Sequence, residues 1–176
     1  MPFLIAIAAA FGTVVFWMYR ARMARDVASD LADVASDVLG AARRFGFRRR
    51  ANQHPVDSID QPELAIGALA MAFIELDAMP VAEQRLQMIA SLGRHLSVSL
   101  DRAEEVSILG HWLVNQCQGP AGAIERISKR LFRINGAASL DPLMNVLKDV
   151  TAAGNGGLSP RQKDALADIA RYLRVR

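Results

Sequence analysis

The chain has 176 residues, 52% of them apolar, which is room for one ordinary domain plus an appendage and too little for two large ones. Its single cysteine, Cys117, excludes an intramolecular disulfide framework and fits a reducing compartment. The formal charge of +3 is uneven: residues 20–50 hold eight arginines against four aspartates, whereas residues 51–176 hold thirteen Lys/Arg against fourteen Asp/Glu, so a nucleic-acid binder, which needs a basic face on its folded domain, is not expected.

No charged side chain occurs before Arg20, and Phe3 to Tyr19 is almost wholly apolar. As a helix that run covers roughly 25 Å, the short end of what crosses a bilayer core. Trp17 and Tyr19 stand at its C-terminal edge, where an interfacial aromatic belt belongs, and Arg20, Arg22 and Arg25 follow. A cleaved signal peptide would need a positive start, where "MPFLIA" offers only the α-amino group, and a small-residue cleavage site, where the run ends in the bulky and then cationic "WMYRARMAR". A buried core helix would tolerate the composition, but uniform apolarity at the very N-terminus favours an uncleaved anchor. Positive residues beside a span stay cytoplasmic, so the expected topology is single-pass in the inner membrane, N-terminus outside, with the rest of the chain in the cytoplasm. Residues 1–22 are thus read as the anchor.

Residues 23–59 read as a neck. Val27, Leu31, Val34 and Val38 form an apolar seam two heptads long, with Asp26, Asp30, Asp33 and Asp37 beside it. The seam either packs on the protein's own domain or joins a second copy into a homo-oligomer. Then comes "RRFGFRRR", in which Arg43, Arg44, Arg48, Arg49 and Arg50 bracket Phe45 and Phe47. Such a patch suits an anionic leaflet, at about 1 kcal/mol per basic residue near the surface, with the rings at the headgroup boundary. An upright neck helix would lift it roughly 30 Å off the bilayer and turn it toward a partner. The polar stretch 51–62, with two prolines, reads as a hinge.

Residues 60–176 read as an all-α bundle of about six helices with short connections and no strand-like alternation. The starts are set at Asp60 with Glu63, at Pro80, at Asp101 with Glu104, at Pro120, at Asp141-Pro142, and at Ser159 answered by Gln162. Expected inward-facing residues include Leu64, Leu69, Met71, Phe73 and Ile74; Leu86, Ile89, Leu92 and Leu96; Trp112 and Leu113; Ile124, Ile127, Leu131 and Phe132; and Ala165, Leu166, Ile169 and Leu173.

A weak internal repeat runs through this part. "MIASLGRHL" (88–96) matches "ALADIARYL" (165–173), each after a loop, "LDAMPVAEQ" (76–84) and "GNGGLSPRQ" (154–162). In these residues the chain resembles the TerB-like family of helical domains named for tellurite-resistance proteins, over about residues 60–176. That family repeats a helix, an Asp-Gly-x-[Leu/Ile/Val]-Ser-x-x-Glu loop and a second helix. Asn155, Gly156, Gly157, Leu158, Ser159 and Gln162 follow the loop pattern in one copy; Asp77, Ala78, Pro80, Val81 and Gln84 follow it in the other. The span ahead of such a domain resembles membrane-anchored DnaJ-like co-chaperones, although His54-Pro55-Val56 is not the His-Pro-Asp of a J-domain. The resemblance implies a protein-binding role in an envelope or stress-response assembly.

Some family members bind a divalent metal through acidic loop residues, so the resemblance also points to Asp77, Glu83 and Asn155 as weak candidate ligands and to a metal-responsive sensor as the alternative reading. A hard cation wants several carboxylate or carbonyl oxygens, and Gln84, Asn155 and Gln162 stand where charge is needed. The leading expectation is therefore helix capping, with no metal and no cofactor. No catalytic set is legible either. His54, His95 and His111 lie far apart in sequence, and His111 and Cys117, six apart, fall on different helix faces. The expected function is non-enzymatic: a membrane-anchored scaffold for an unknown protein partner.

Overall fold

The computed structural model describes residues 35–47, 52–77, 81–154 and 157–174. The chain forms two compact units, Met1–Leu39 and Gly40–Arg176. Of the first, residues 35–39 are described and are helical, with Val38 half-buried. The apolar run, its edge residues Trp17, Tyr19, Arg20, Arg22 and Arg25, and the seam positions Val27, Leu31 and Val34 lie outside the described residues. Among the described residues there is no strand, and no helix is long and apolar enough to cross a membrane.

The second unit is an all-helical bundle. Helical residues 40–45 (α1) open it, followed by α2 (Pro62–Ile74), α3 (Ala82–Leu96), α4 (Leu100–Gln116), α5 (Pro120–Asn135), α6 (Leu140–Ala152) and α7 (Pro160–Arg174). The order around the core follows from α2. Every residue from Leu64 to Ile74 is buried. A helix apolar on all sides has no face to offer water, so it must be enclosed. Helices α4 and α5 pack most extensively on it, with α6 and α3 also against it. Helix α3 also packs on α6 and α4, and α7 covers α5.

Closest approach is set by two glycines. A Cβ on Gly67 would fall 2.0 Å from Cγ1 of Val106, and one on Gly110 would fall 3.2 Å from the Cα of Ala68. Helices α2 and α4 therefore cross nearly backbone to backbone.

Helix ends differ from the expected ones by a residue or two, each for a local reason. Helix α2 starts at Pro62 after Gln61, which makes no side-chain cap. The α4 cap is Ser99, whose Oγ accepts from Arg102 N at 3.3 Å, ahead of Asp101. Helix α3 begins at Ala82, and a 3₁₀ turn, Gly136–Ser139, leads into α6 at Leu140.

Two expected core residues are outside. Helix α3 buries Met88, Ser91 and Leu92, and Leu86, about 200° around the helix from Met88, is 68% exposed. Phe132, in the last turn of α5, is also exposed. Trp112 is only half-buried, while Leu113 is core.

Candidate functional site

The arginine-phenylalanine stretch 43–50 is described as far as Phe47, and there it is a helix terminus. Gly46 takes a φ of +75°, Phe47 N donates to Ala42 O at 2.8 Å, and Gly46 N donates to Arg43 O at 3.1 Å. This paired closure is the Schellman stop, which favours glycine in the left-handed position. It turns both rings inward. Phe45 is 3% exposed, with the Arg102 guanidinium 3.9 Å above its ring. Phe47 meets Trp112 edge-on at 6.0 Å. Arg44 pairs with the buried Glu105 of α4, while Arg43 is exposed. Arg48, Arg49 and Arg50 lie outside the described residues. Residues 52–61 pack likewise: Val56 and Ile59 are fully buried around a 3₁₀ turn, Pro55–Ser58.

The two repeat loops cap their helices in the same way. Val81 N donates to Gln84 Oε1 at 3.3 Å, and Ser159 N donates to Gln162 Oε1 at 3.2 Å. Only the second box is reciprocal, because Ser159 Oγ accepts from Gln162 N at 3.1 Å and Val81 has no such oxygen. Gln162 Nε2 also donates to Phe73 O at 3.4 Å. Asp77 and Glu83 are exposed, and Asn155 lies outside the described residues. Among the described residues no three His, Cys, Asp or Glu side chains converge as metal ligands. The helices following the loops use different neighbours, α3 packing on α6 and α4, α7 on α5.

Each histidine is tied to an acceptor. Ser91 Oγ, Arg94 Nη1 and His95 Nε2 all donate to Asp149 Oδ2, at 2.8, 3.0 and 2.9 Å, joining α3 to α6. The Ser91 hydroxyl bond comes first among the causes that hold the Asp149 carboxyl below the usual carboxylate range. Serine, histidine and aspartate meet here without nucleophile geometry: Ser91 is fully buried and gives its proton to the carboxylate, not to the imidazole. His111 Nδ1 donates to Glu75 Oε1 at 2.6 Å, and that bond pushes its pKa up, against partial desolvation and Arg85.

A polar cleft of about 710 Å³ lies between the 54–57 turn, the corner after α4, and α5. It brings together His54 and Cys117, which sequence spacing did not connect. His54 Nδ1 accepts from Val56 N at 3.3 Å and Nε2 lies 3.0 Å from Gln116 O, so Nε2 carries the proton and both nitrogens are engaged. Burial pushes the Cys117 thiol up, which leaves it a poor nucleophile. The α5 wall carries Arg126, Lys129, Arg130 and Arg133 with Glu125 among them, opposite Asp57, a net charge of +2.

No family model matches the chain, no curated protein matches it, and no solved structure matches it.

Proposed function

We propose that this chain is a non-enzymatic, membrane-anchored adaptor: Phe3 to Tyr19 hold it in the inner membrane, and the helical bundle binds another protein on the cytoplasmic side. The observation that carries the binding half is the apolar surface flanking α3. Leu86 is 68% exposed, Leu100 63% and Val81 51%, and Leu100 packs beside Gly93 on that outer side. Leu86 and Gly93 are seven residues apart and share a stripe of α3, so with Leu100 beside Gly93 the two exposed leucines lie on one side of that helix, where apolar exposure suits a protein partner. Tethering would raise the bundle's effective concentration for partners at the membrane. The TerB-like reading, with an envelope or stress role, goes with this proposal. It is supported by the two helix-loop-helix units whose glutamines cap alike.

The test is crosslinking and pull-down from membranes with wild type and a Leu86→Glu/Leu100→Glu variant. Both positions are exposed, so the variant should fold and fractionate with membranes while losing the partner. Recovery of the native full chain without detergent would sink the anchor. Identical crosslinks from both proteins would sink the apolar surface as the docking face.

A further inference from the structure

We infer that the cleft beside α5 binds a small molecule carrying a phosphate group, a reading independent of where the bundle is anchored. Arg126, Arg130 and Arg133 recur at spacings of four and three with Lys129 among them, so all four project from one helix face into the same cleft. Two guanidinium groups are held before any ligand arrives. Arg130 Nε donates to Ile59 O at 2.6 Å, and Arg126 Nη2 donates to Asp57 Oδ2 at 2.8 Å. A side chain already fixed loses less freedom on binding. The remaining N–H groups keep the planar fork that matches two phosphate oxygens. Arg133 has no ion-pair partner among the described residues, and Lys129 pairs with the exposed Glu125 and lies 5.2 Å from the centroid of the Tyr172 ring.

Charge and size agree. A net +2 lining suits a dianion, and about 710 Å³ lies in the range of small-molecule sites, roughly 300–1,000 Å³. A nucleic-acid strand would need a basic track extending beyond the cleft, and residues 51–176 carry no net excess of positive charge. The phosphate would belong either to a soluble ester or to the monoester headgroup of a lipid.

Calorimetry on the full chain in neutral detergent separates these sources, with pyrophosphate in one arm and dihexanoyl phosphatidate in the other. Saturable binding in either arm is expected, and which arm binds more tightly assigns the source. Arg133→Ala should weaken it about tenfold, the scale of one charge-assisted bond. Glu125→Gln should tighten it, because a competing carboxylate is gone. Lys148→Ala, which removes an exposed charge on α6 outside the cleft, should change nothing. Silence in both arms overturns the inference, as does equal weakening by Arg133→Ala and Lys148→Ala. Retention of a short oligonucleotide without pyrophosphate binding also overturns it.

Discussion

The guanidinium of Arg102 lies 3.9 Å above the ring of Phe45, and through this contact α1 belongs to the bundle. Arg102 also donates to Gln61, whose Nε2 donates to Phe45 O at 3.3 Å, so α1, the turn region and α4 close one network. A fragment beginning at residue 35 keeps these contacts, and one beginning at residue 51 loses them. The shorter fragment should melt well below the longer. In the longer one, Phe45→Ala should cost about 3–5 kcal/mol, as removal of a buried aromatic does. Equal denaturation midpoints for the two fragments would show that α1 is dispensable.

Gly67 is the second test of packing. Alanine there gains up to about 1 kcal/mol of helix propensity. Its Cβ, however, would lie 2.0 Å from Cγ1 of Val106, a β-branched side chain with one preferred rotamer in a helix. Overpacking of this kind costs about 1–3 kcal/mol, so Gly67→Ala should destabilise. Trimming the obstacle should restore what was lost. In a double-mutant cycle with Val106→Ala, the coupling energy should be favourable by 1 kcal/mol or more. Additive effects would mean that the α2–α4 crossing is looser than the glycines indicate.

Much of this fold was legible because its helices announce themselves locally. Pro120, the Ser159–Gln162 box and the apolar run 64–74 each carry their own signal. The fate of Phe45 and Phe47 was not, since five arginines around two rings look like a surface patch by composition. The signal that would have found it is Gly46, a left-handed stop between two apolar residues, which folds its neighbours back onto the helix. Leu86 is exposed because α3 buries one side, that of Met88, Ser91 and Leu92, and its spacing does not say which side that is. The cleft was illegible for a different reason. Asp57 and Arg126 are 69 residues apart, and local spacing carries no information on such a pairing. The cationic stripe on α5 was periodic in the sequence but hidden by a near-neutral domain charge.

His111 predicts a pH dependence. Glu75 raises its pKa above 6.5 in the folded chain, so the pairing stabilises fully below the unfolded value and is lost as pH rises through the folded one. Between pH 6 and alkaline pH, wild type should lose stability that a Glu75→Gln variant does not lose. The imidazole should titrate above 6.5 by NMR and move down in that variant. An unshifted His111 resonance would remove the argument. Because the ring is 41% exposed, the effect should shrink in high salt.

Asp149 gives the opposite limb. Its lowered pKa means that its contribution is present above the unfolded value of 3.8 and disappears as pH falls through the folded one. Acid unfolding should therefore steepen below pH 3.8, and Asp149→Asn should blunt that slope. Asp149→Ala should cost about 1–3 kcal/mol at neutral pH, because it leaves the buried Ser91 hydroxyl without its acceptor. Ser91→Ala together with Asp149→Ala should cost less than the sum of the singles. The reason is that the penalty comes from the orphaned hydroxyl more than from the lost bond. A double variant that is simply additive would place the stabilisation in the exposed Arg94 pair instead.

Ser128 should behave in the reverse sense. Its Oγ is fully buried on α5 and has no hydrogen-bond partner among the described residues, so burying it carries a desolvation cost that none of them offsets. Ser128→Ala removes that oxygen, and alanine is also the better helix former. The two effects act in the same direction and should raise stability by about 1 kcal/mol, seen as a higher urea midpoint with an unchanged slope. If the variant is destabilised instead, the hydroxyl must have an acceptor such as a buried water, and the lost bond would outweigh the gain in propensity.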